Sequence, residues 1–362
     1  MGSLVLVVTR ACNQRCAYCS TVKEGWPSLT EADVRIAISL FARQYGGGDI
    51  KLFGGEPLLV PDVVRAAFDA ARSEPSVRRV YLSTNGIGLD SSWLSWLRAQ
   101  PKAILTISLD GRPEDHRHLR RVQSGVVEPY DHVVSLLPEL LTAPRLVVTQ
   151  TIAPSTAASA APNFRHLLSL GFRRFNLLPG YYLPWSEDHL AELRAGLSAI
   201  GDEIRRWWSG GRYLYLRNLF TRAPTPFFNT GLVVDSDRSI HPSNLGLSGA
   251  LDELRECTRV GSLDEPPSAD ALAAAAADVP ALLAHHLPAR VWASTLAVDS
   301  ALTVFCRSLV RPFAAYRLDR TRRTDGGAAA CGPACREAPD AAGLGRAEGA
   351  ESVPPPPAGG AR

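Results

Sequence analysis

The sequence predicts an α/β protein: a partial (β/α)6 barrel of TIM-like form, then a smaller α+β C-terminal extension and a disordered tail. Three observations lead there. Six apolar, β-branched runs alternate with helical stretches between residues 4 and 179, at the roughly 30-residue spacing of a βα unit. That alternation stops near residue 180. From about 322 the composition collapses to Ala, Gly, Pro and charge, which cannot bury enough apolar surface to hold a fold. The expected organisation is a core barrel over 1–185, an extension over 186–320 and the tail over 321–362.

The elements follow in order. Leu4 to Val8 is a continuous apolar run and reads as a buried strand. Ser28 and Thr30 are capping candidates for a helix that carries Val34, Ala37, Leu40 and Phe41 and ends at Gly46 to Gly48. "DIKLF" is the second strand, followed by a helix over Val60 to Ser73. Strand "RRVYLST", helix "SSWLSWLRAQ" and strand "AILTISLD" come next, then a polar loop. Helix "DHVVSLLPELL", strand "RLVVTQTI", helix "APNFRHLLSLGF" and strand "RRFNLLP" complete the six units. Such alternation implies a parallel sheet with right-handed crossovers. In the extension, "WSEDHLAELRAGLSAIGDEIRRWW" is one long amphipathic helix. "RYLYL" reads as a strand, "TGLVVDSDRSIHPS" as a hairpin about Asp235 to Arg238, and residues 267–318 as helical.

Bulk properties narrow the function. A chain of 362 residues with 46% hydrophobic residues and a net charge of +3 has an ordinary core and gives no reason to expect nucleic acid or a membrane as partner. "MGSLVLVVT" lacks a cationic start and a cleavage site, and its apolar run is too short to span a bilayer. Seven cysteines, an odd number, fit poorly with a secreted disulfide framework. A cytoplasmic protein with reduced thiols is expected.

Cys12, Cys16 and Cys19 are spaced C-x3-C-x2-C, and the other four cysteines lie beyond residue 250. A structural zinc site usually takes four ligands. Three close thiols with no fourth suggest a metal centre with one open position, of zinc or an iron–sulfur cluster. This triplet follows the first strand. "GGEP" (Gly54 to Pro57) follows the second, "STNG" (Ser83 to Gly86) the third, and "SLDG" (Ser108 to Gly111) ends the fourth. Ligand chemistry gathers at that end of a parallel barrel. Each loop alone is an ordinary turn; their agreement with a cysteine cluster is not.

With Tyr18 directly before its last cysteine, the triplet resembles the signature of the radical S-adenosylmethionine (radical SAM) superfamily. "GGEP", "STNG" and "SLDGRPEDHRHLR" resemble that family's later strand ends, in the SPASM/twitch-type branch that modifies peptides and carries auxiliary clusters. The resemblance covers residues 4 to 180 and implies chemistry. Cys12, Cys16 and Cys19 would bind three irons of a [4Fe-4S] cluster, and S-adenosyl-L-methionine would chelate the fourth. One electron would then yield a 5′-deoxyadenosyl radical that takes a hydrogen atom from the substrate. Gly54 and Gly55 would let backbone approach the methionine moiety. Glu56 and Pro57 would shape the loop around the amino group, and Ser83, Asn85 and Ser108 would make polar contacts. Arg120 matches a position suited to the carboxylate, its alternative being a solvated loop charge. Asp110 and His116 read as loop-structuring groups.

The resemblance also fails in places. Cysteine positions expected around the hairpin hold Phe228 and Ser243, and the usual hairpin glycine is Arg238. A degenerate extension that keeps its shape and loses that cluster is expected. Cys306 reads as a buried inert thiol and Cys257 as a helix-end residue. Cys331 and Cys335, in "CGPAC", are the more deliberate pair, and these four thiols are the candidates for any auxiliary cluster. Tyr181, Tyr182, Trp207 and Trp208 read as core packing or as the lining of a cavity. The function expected is hydrogen abstraction from a peptide, with a flavodoxin or ferredoxin as electron donor. The alternatives are a small-molecule substrate such as a sugar or nucleoside, and a non-catalytic iron–sulfur protein.

Overall fold

The computed structural model describes residues 2–122, 125–143, 145–220, 231–244 and 252–325. The elements through the barrel are β1 (Ser3–Thr9), β2 (Gln14–Cys16), α1 (Glu31–Gln44), β3 (Gly48–Gly54), α2 (Pro61–Ser73), β4 (Val77–Thr84), α3 (Ser91–Arg98), β5 (Ala103–Ser108), α4 (Pro113–Leu119), β6 (Arg120–Val122), α5 (Pro129–Ser135), α6 (Leu137–Leu140), β7 (Leu146–Ile152), α7 (Ala160–Ser169) and β8 (Arg174–Pro179). Beyond them come α8 (Glu187–Ser209), β9 (Tyr215–Leu216), β10 (Leu232–Val234), β11 (Ser239–His241), α9 (Asp252–Thr258), β12 (Gly261–Ser262), α10 (Ala269–His286) and α11 (Ala289–Asp325).

The six predicted strands are β1, β3, β4, β5, β7 and β8, and they lie side by side in that order, all parallel. Alternation along them decides what faces what. Leu4, Leu6, Ile50, Leu52, Val80, Leu82, Leu105, Ile107, Val148 and Phe175 belong to the main core, which also takes in α1, α2, α3, α7, α8 and α11. The intervening residues form separate small clusters, Val7 with Val233, and Tyr81 with Ile104 and Val147. These helices therefore cover one face, as right-handed crossovers of one sense require, and the sheet curls about the other to make a partial barrel. Phe53 and Leu178, on that inner face, remain 36% and 40% exposed, so the barrel is open towards the C-terminal ends of its strands.

Local chemistry sets the helix ends. Thr30 caps α1, its hydroxyl accepting from Asp33 N–H while the Asp33 carboxylate accepts from Thr30 N–H. The predicted helix over 131–141 is divided at Leu136, because Pro138 starts a new turn as α6. Residues 267–318 likewise resolve into α10 and α11, parted at Leu287 and Pro288. The polar loop expected after β5 holds α4 and β6 instead. The strand expected at "RYLYL" is reduced to β9.

The extension shares sheet and core with the barrel. β9 adds to β8, and β10 adds parallel to β1 on its other edge, with β11 and β12 beyond. The expected hairpin is β10–β11, and Arg238 in its turn adopts φ +72°, a left-handed conformation usually left to glycine. Over Ala289–Thr321, α11 is long and apolar enough to cross a membrane by length and composition. Its Val298, Leu302, Phe305 and Leu309 are instead buried in the core. Of the expected tail, residues 321–325 continue α11, and the remainder lies outside the described residues.

Candidate functional site

The cysteine loop leaves β1 at Thr9 and is tied at its start and in its middle. At its start, the Thr9 hydroxyl accepts from Ser28 Oγ at 2.9 Å and from Ala11 N–H at 3.2 Å. In the middle, β2 pairs with β6 as a separate two-stranded sheet, with Cys16 opposite Arg120. Ala17 N–H donates to Leu119 C=O at 2.7 Å. This small sheet was not expected from the sequence: three-residue strands carry no readable periodicity.

Glycine explains how β3 meets this loop. Gly55 N–H donates to Thr9 C=O and Glu56 N–H to Ala11 C=O, both at 2.8 Å. A Cβ on Gly54 would lie 2.0 Å from the Thr9 oxygen, and one on Gly55 2.1 Å from that of Ala11. These glycines allow a close approach to the base of the cysteine loop. Pro57 is buried and opens a short 3-10 turn.

Glu56 is buried and accepts from Leu58 N–H at 3.0 Å, Thr84 Oγ1 at 2.7 Å and Asn85 N–H at 2.7 Å. Burial pushes its carboxyl above the usual range, against the pull of those donors. Asn85 is thereby fixed, and its side-chain amide donates to Asn13 Oδ1 at 2.7 Å, between Cys12 and Cys16 in sequence. Ser83 and Ser108 are half-buried on the inner face, Ser83 opposite Thr106 and Ser108 opposite Thr149.

Arg120 is not a solvated loop charge. Its side chain is 7% exposed and forks onto Asp110, Nε to Oδ2 at 2.7 Å and Nη2 to Oδ1 at 3.1 Å. Asp110 also accepts from Tyr18 Oη at 3.0 Å and Thr151 N–H at 3.0 Å. His116 is fully buried and accepts Asp110 N–H at Nδ1, and burial drives it down to about 4. Asp110 and His116 are therefore structuring groups, and they hold the aromatic between Cys16 and Cys19.

Sequence reasoning missed a second network behind the loop. Arg10 is wholly buried and makes a two-point ion pair with Asp235 at the end of β10. Arg255 pairs with Asp237, and the Arg10 and Arg255 guanidiniums lie 3.8 and 4.6 Å from the Trp26 ring centroid. Ser243, at one expected cysteine position, is buried, whereas Phe228, Cys331 and Cys335 lie outside the described residues. Cys257 is exposed at the end of α9. Cys306 is half-buried in α11, and burial pushes its thiol to about 12. Tyr181, Trp207 and Trp208 pack on the main core and Tyr182 on a smaller cluster.

Cys12, Cys16 and Cys19 are within electrostatic reach of one another, and burial raises Cys12 and lifts Cys16 to about 11. Among the described residues no three His, Cys, Asp or Glu side chains are already gathered tightly enough to grip a metal ion. The donor set nevertheless suits a soft, thiophilic centre, which would displace three thiol protons.

Residues 6–151 match the profile of the radical SAM superfamily. A GTP 3′,8-cyclase from Chlorobaculum tepidum is 34% identical over 152 residues, 40% of this chain and 42% of that protein. The chain thus spans less than half the length of such curated relatives. Among solved structures, anSMEcpe with bound AdoMet superposes with a TM-score of 0.61 at 18% identity, over 75% of this chain and 79% of that one. Streptococcus suis SuiB bound to S-adenosylmethionine gives 0.56 at 14% identity, over 73% and 63%.

Proposed function

On the premise that residues 6–151 are a radical SAM domain, we propose that the chain is a radical SAM enzyme with a peptide substrate. Cys12, Cys16 and Cys19 would hold a [4Fe-4S] cluster. Gly54, Gly55, Glu56, Pro57, Ser83, Asn85, Ser108 and Arg120 are the candidates for the S-adenosyl-L-methionine pocket, Arg120 acting through Asp110 unless that pair opens. When bound, this pair of groups supplies one-electron cleavage of the sulfonium and a radical able to take a hydrogen atom. One observation carries the reading: Gly55, Glu56 and Asn85 are hydrogen-bonded directly to the cysteine loop.

The chain's own residues position and shield. Thr9 and Ser28 fix the start of the loop, Arg120 with Asp110 fixes Cys16, and Glu56 aims Asn85. With substrate seated in its open mouth, the inner face would shield a radical from water and side reactions. The units 1–185 and 186–320 would divide the work, the first for the cofactors and the second closing the barrel edge. A peptide is favoured by the likeness in fold to anSMEcpe, solved with a Cp18Cys peptide, and to SuiB, solved with its precursor peptide SuiA. A small nucleotide-like molecule is the second reading, favoured by the similarity to GTP 3′,8-cyclases. A flavodoxin or ferredoxin would be the donor, and the site of action cytoplasmic.

The test is anaerobic reconstitution with iron and sulfide, reduction with dithionite, addition of SAM, and mass spectrometry for 5′-deoxyadenosine. The expected result is about four irons per chain and deoxyadenosine, both absent when Cys12, Cys16 and Cys19 are all changed to Ala. A well-loaded cluster with no SAM binding by calorimetry would overturn the enzyme reading in favour of an electron carrier.

A further inference from the structure

We propose that the inner face of the barrel carries a site for an anionic oxygen group of the substrate, a phosphate or a carboxylate, lodged among Lys51, Arg174 and Arg217. Only the identity of this group as part of a substrate rests on the enzyme reading above; the site itself does not.

Strand register assembles it. Lys51 of β3 is opposite Tyr81 of β4, and Arg174 of β8 is opposite Tyr215 of β9. Arg217 follows β9 and lies over the Tyr81 ring, 4.2 Å from its centroid, while Arg174 lies 4.5 Å from that of Tyr215. Two tyrosine faces thus hold two guanidiniums, and the sheet face beneath Arg217 also bears Lys51. The side chains of Lys51 and Arg217 make no hydrogen bond or salt bridge among the described residues. Arg174 Nε and, across the sheet, Thr106 Oγ1 are buried with no hydrogen-bond partner.

Among the described residues, Asp49 is the one carboxylate acting on Lys51, and it offsets only part of the charge. Asp49, the carboxylate on the same face of β3, engages Arg78 at 3.5 Å and is opposite Arg79. Asp110 is committed to Arg120 and Asp235 to Arg10. Burial first, and then Arg217, lower the Lys51 ammonium to about 8. Three half-buried cations with one shared carboxylate between them are unfavourable in a protein interior, and an anion entering the barrel lowers that cost. Guanidinium forks suit the two oxygens of a phosphate or carboxylate. Lys51 lies three positions before Gly54, below the rim that bears the cysteine loop. A substrate anchored there by its anion would present its carbon skeleton upward, to that rim.

The test is calorimetric titration of the full chain, without iron or SAM, with pyrophosphate and with glutarate. Wild type should bind at least one probe at millimolar concentration or better, and Arg174→Met/Arg217→Met should lose about tenfold or more in affinity. Loss of pyrophosphate binding alone assigns a phosphate, loss of glutarate binding alone a carboxylate, and loss of both a shared anion site. The double variant removes mutually repelling cations and should melt no lower than wild type. If it does not fold, Lys51→Met serves as the second variant and should show the same loss. No binding of either probe to folded wild type, or binding that survives these substitutions, overturns the site. Neither probe needs cluster or SAM, so failure here and failure to form deoxyadenosine are separate results.

Discussion

Replacing Asp110 with Asn tests how the cysteine loop is held. The side chains of Asp110 and Arg120 are 0% and 7% exposed, and Asp110 receives four hydrogen bonds: two from Arg120, one each from Tyr18 and Thr151. An amide keeps the shape but leaves the guanidinium without a counter-charge. Removing one partner of a buried pair costs about 3–5 kcal/mol. The amide oxygen still accepts some of the donors, so Asp110→Asn is expected near about 3 kcal/mol. At about 2.1 cal/mol/K of unfolding entropy per residue, that is a fall in melting temperature of about 4–5 °C for a chain of this size. Thermal unfolding by circular dichroism measures it. Asp110→Leu/Arg120→Met, which removes both charges, should recover much of the loss. Because β6 pairs Arg120 opposite Cys16, the single variant should also retain less iron after reconstitution. A cost under about 1 kcal/mol, or a double variant as unstable as the single one, would refute the energetic reasoning, and unchanged iron retention would refute the positioning role.

Three further outcomes are expected. Gly55→Ala must push a Cβ into the Ala11 and Arg10 carbonyl oxygens, 2.1 and 2.4 Å away; iron loading should fall steeply while far-ultraviolet circular dichroism stays near wild type. Glu56→Gln replaces an acceptor of three donors with a group that itself donates, at a cost of about 1–3 kcal/mol in urea unfolding, with weaker SAM binding by calorimetry. His116 and His241 are buried and held neutral, each lowered to about 4, burial being the main cause. Their folded pKa lies below the ordinary value, so this stability is complete above about pH 6.5 and is lost as pH falls towards about 4. Urea midpoints from pH 7 to 4 should show that decline, and a flat profile would contradict it.

The parts legible in the sequence were those with strong local patterns. Runs such as Leu4 to Val8 could only be buried strands, and the loops after four of them carried unusual residues to one rim. What stayed hidden depends on distant or very short pairings. Arg10 and Asp235 are 225 positions apart, and nothing in either stretch names the other. The strands β2 and β6 are three residues each, and α4 buries only His116 and Leu119, too few to give a helical period. Gly54 and Gly55 are recognisable as sites of close approach, and the carbonyls of Thr9 and Ala11 that meet them are not. Arg238 stands where the resemblance implies a glycine, and the turn bends as if the glycine were there.

The pairing of β10 with β1 orders events during synthesis. Leu4, Val5 and Leu6 find their outer neighbours only at Leu232, Val233 and Val234. The strand that leads into the cysteine loop therefore emerges from the ribosome well before β10 and keeps one bare edge until more than two hundred further residues have followed. An edge left open that long invites pairing with another chain. A nascent chain cut short before β10 should associate through that edge, and maturation of the iron site is best timed after the late strand has closed it.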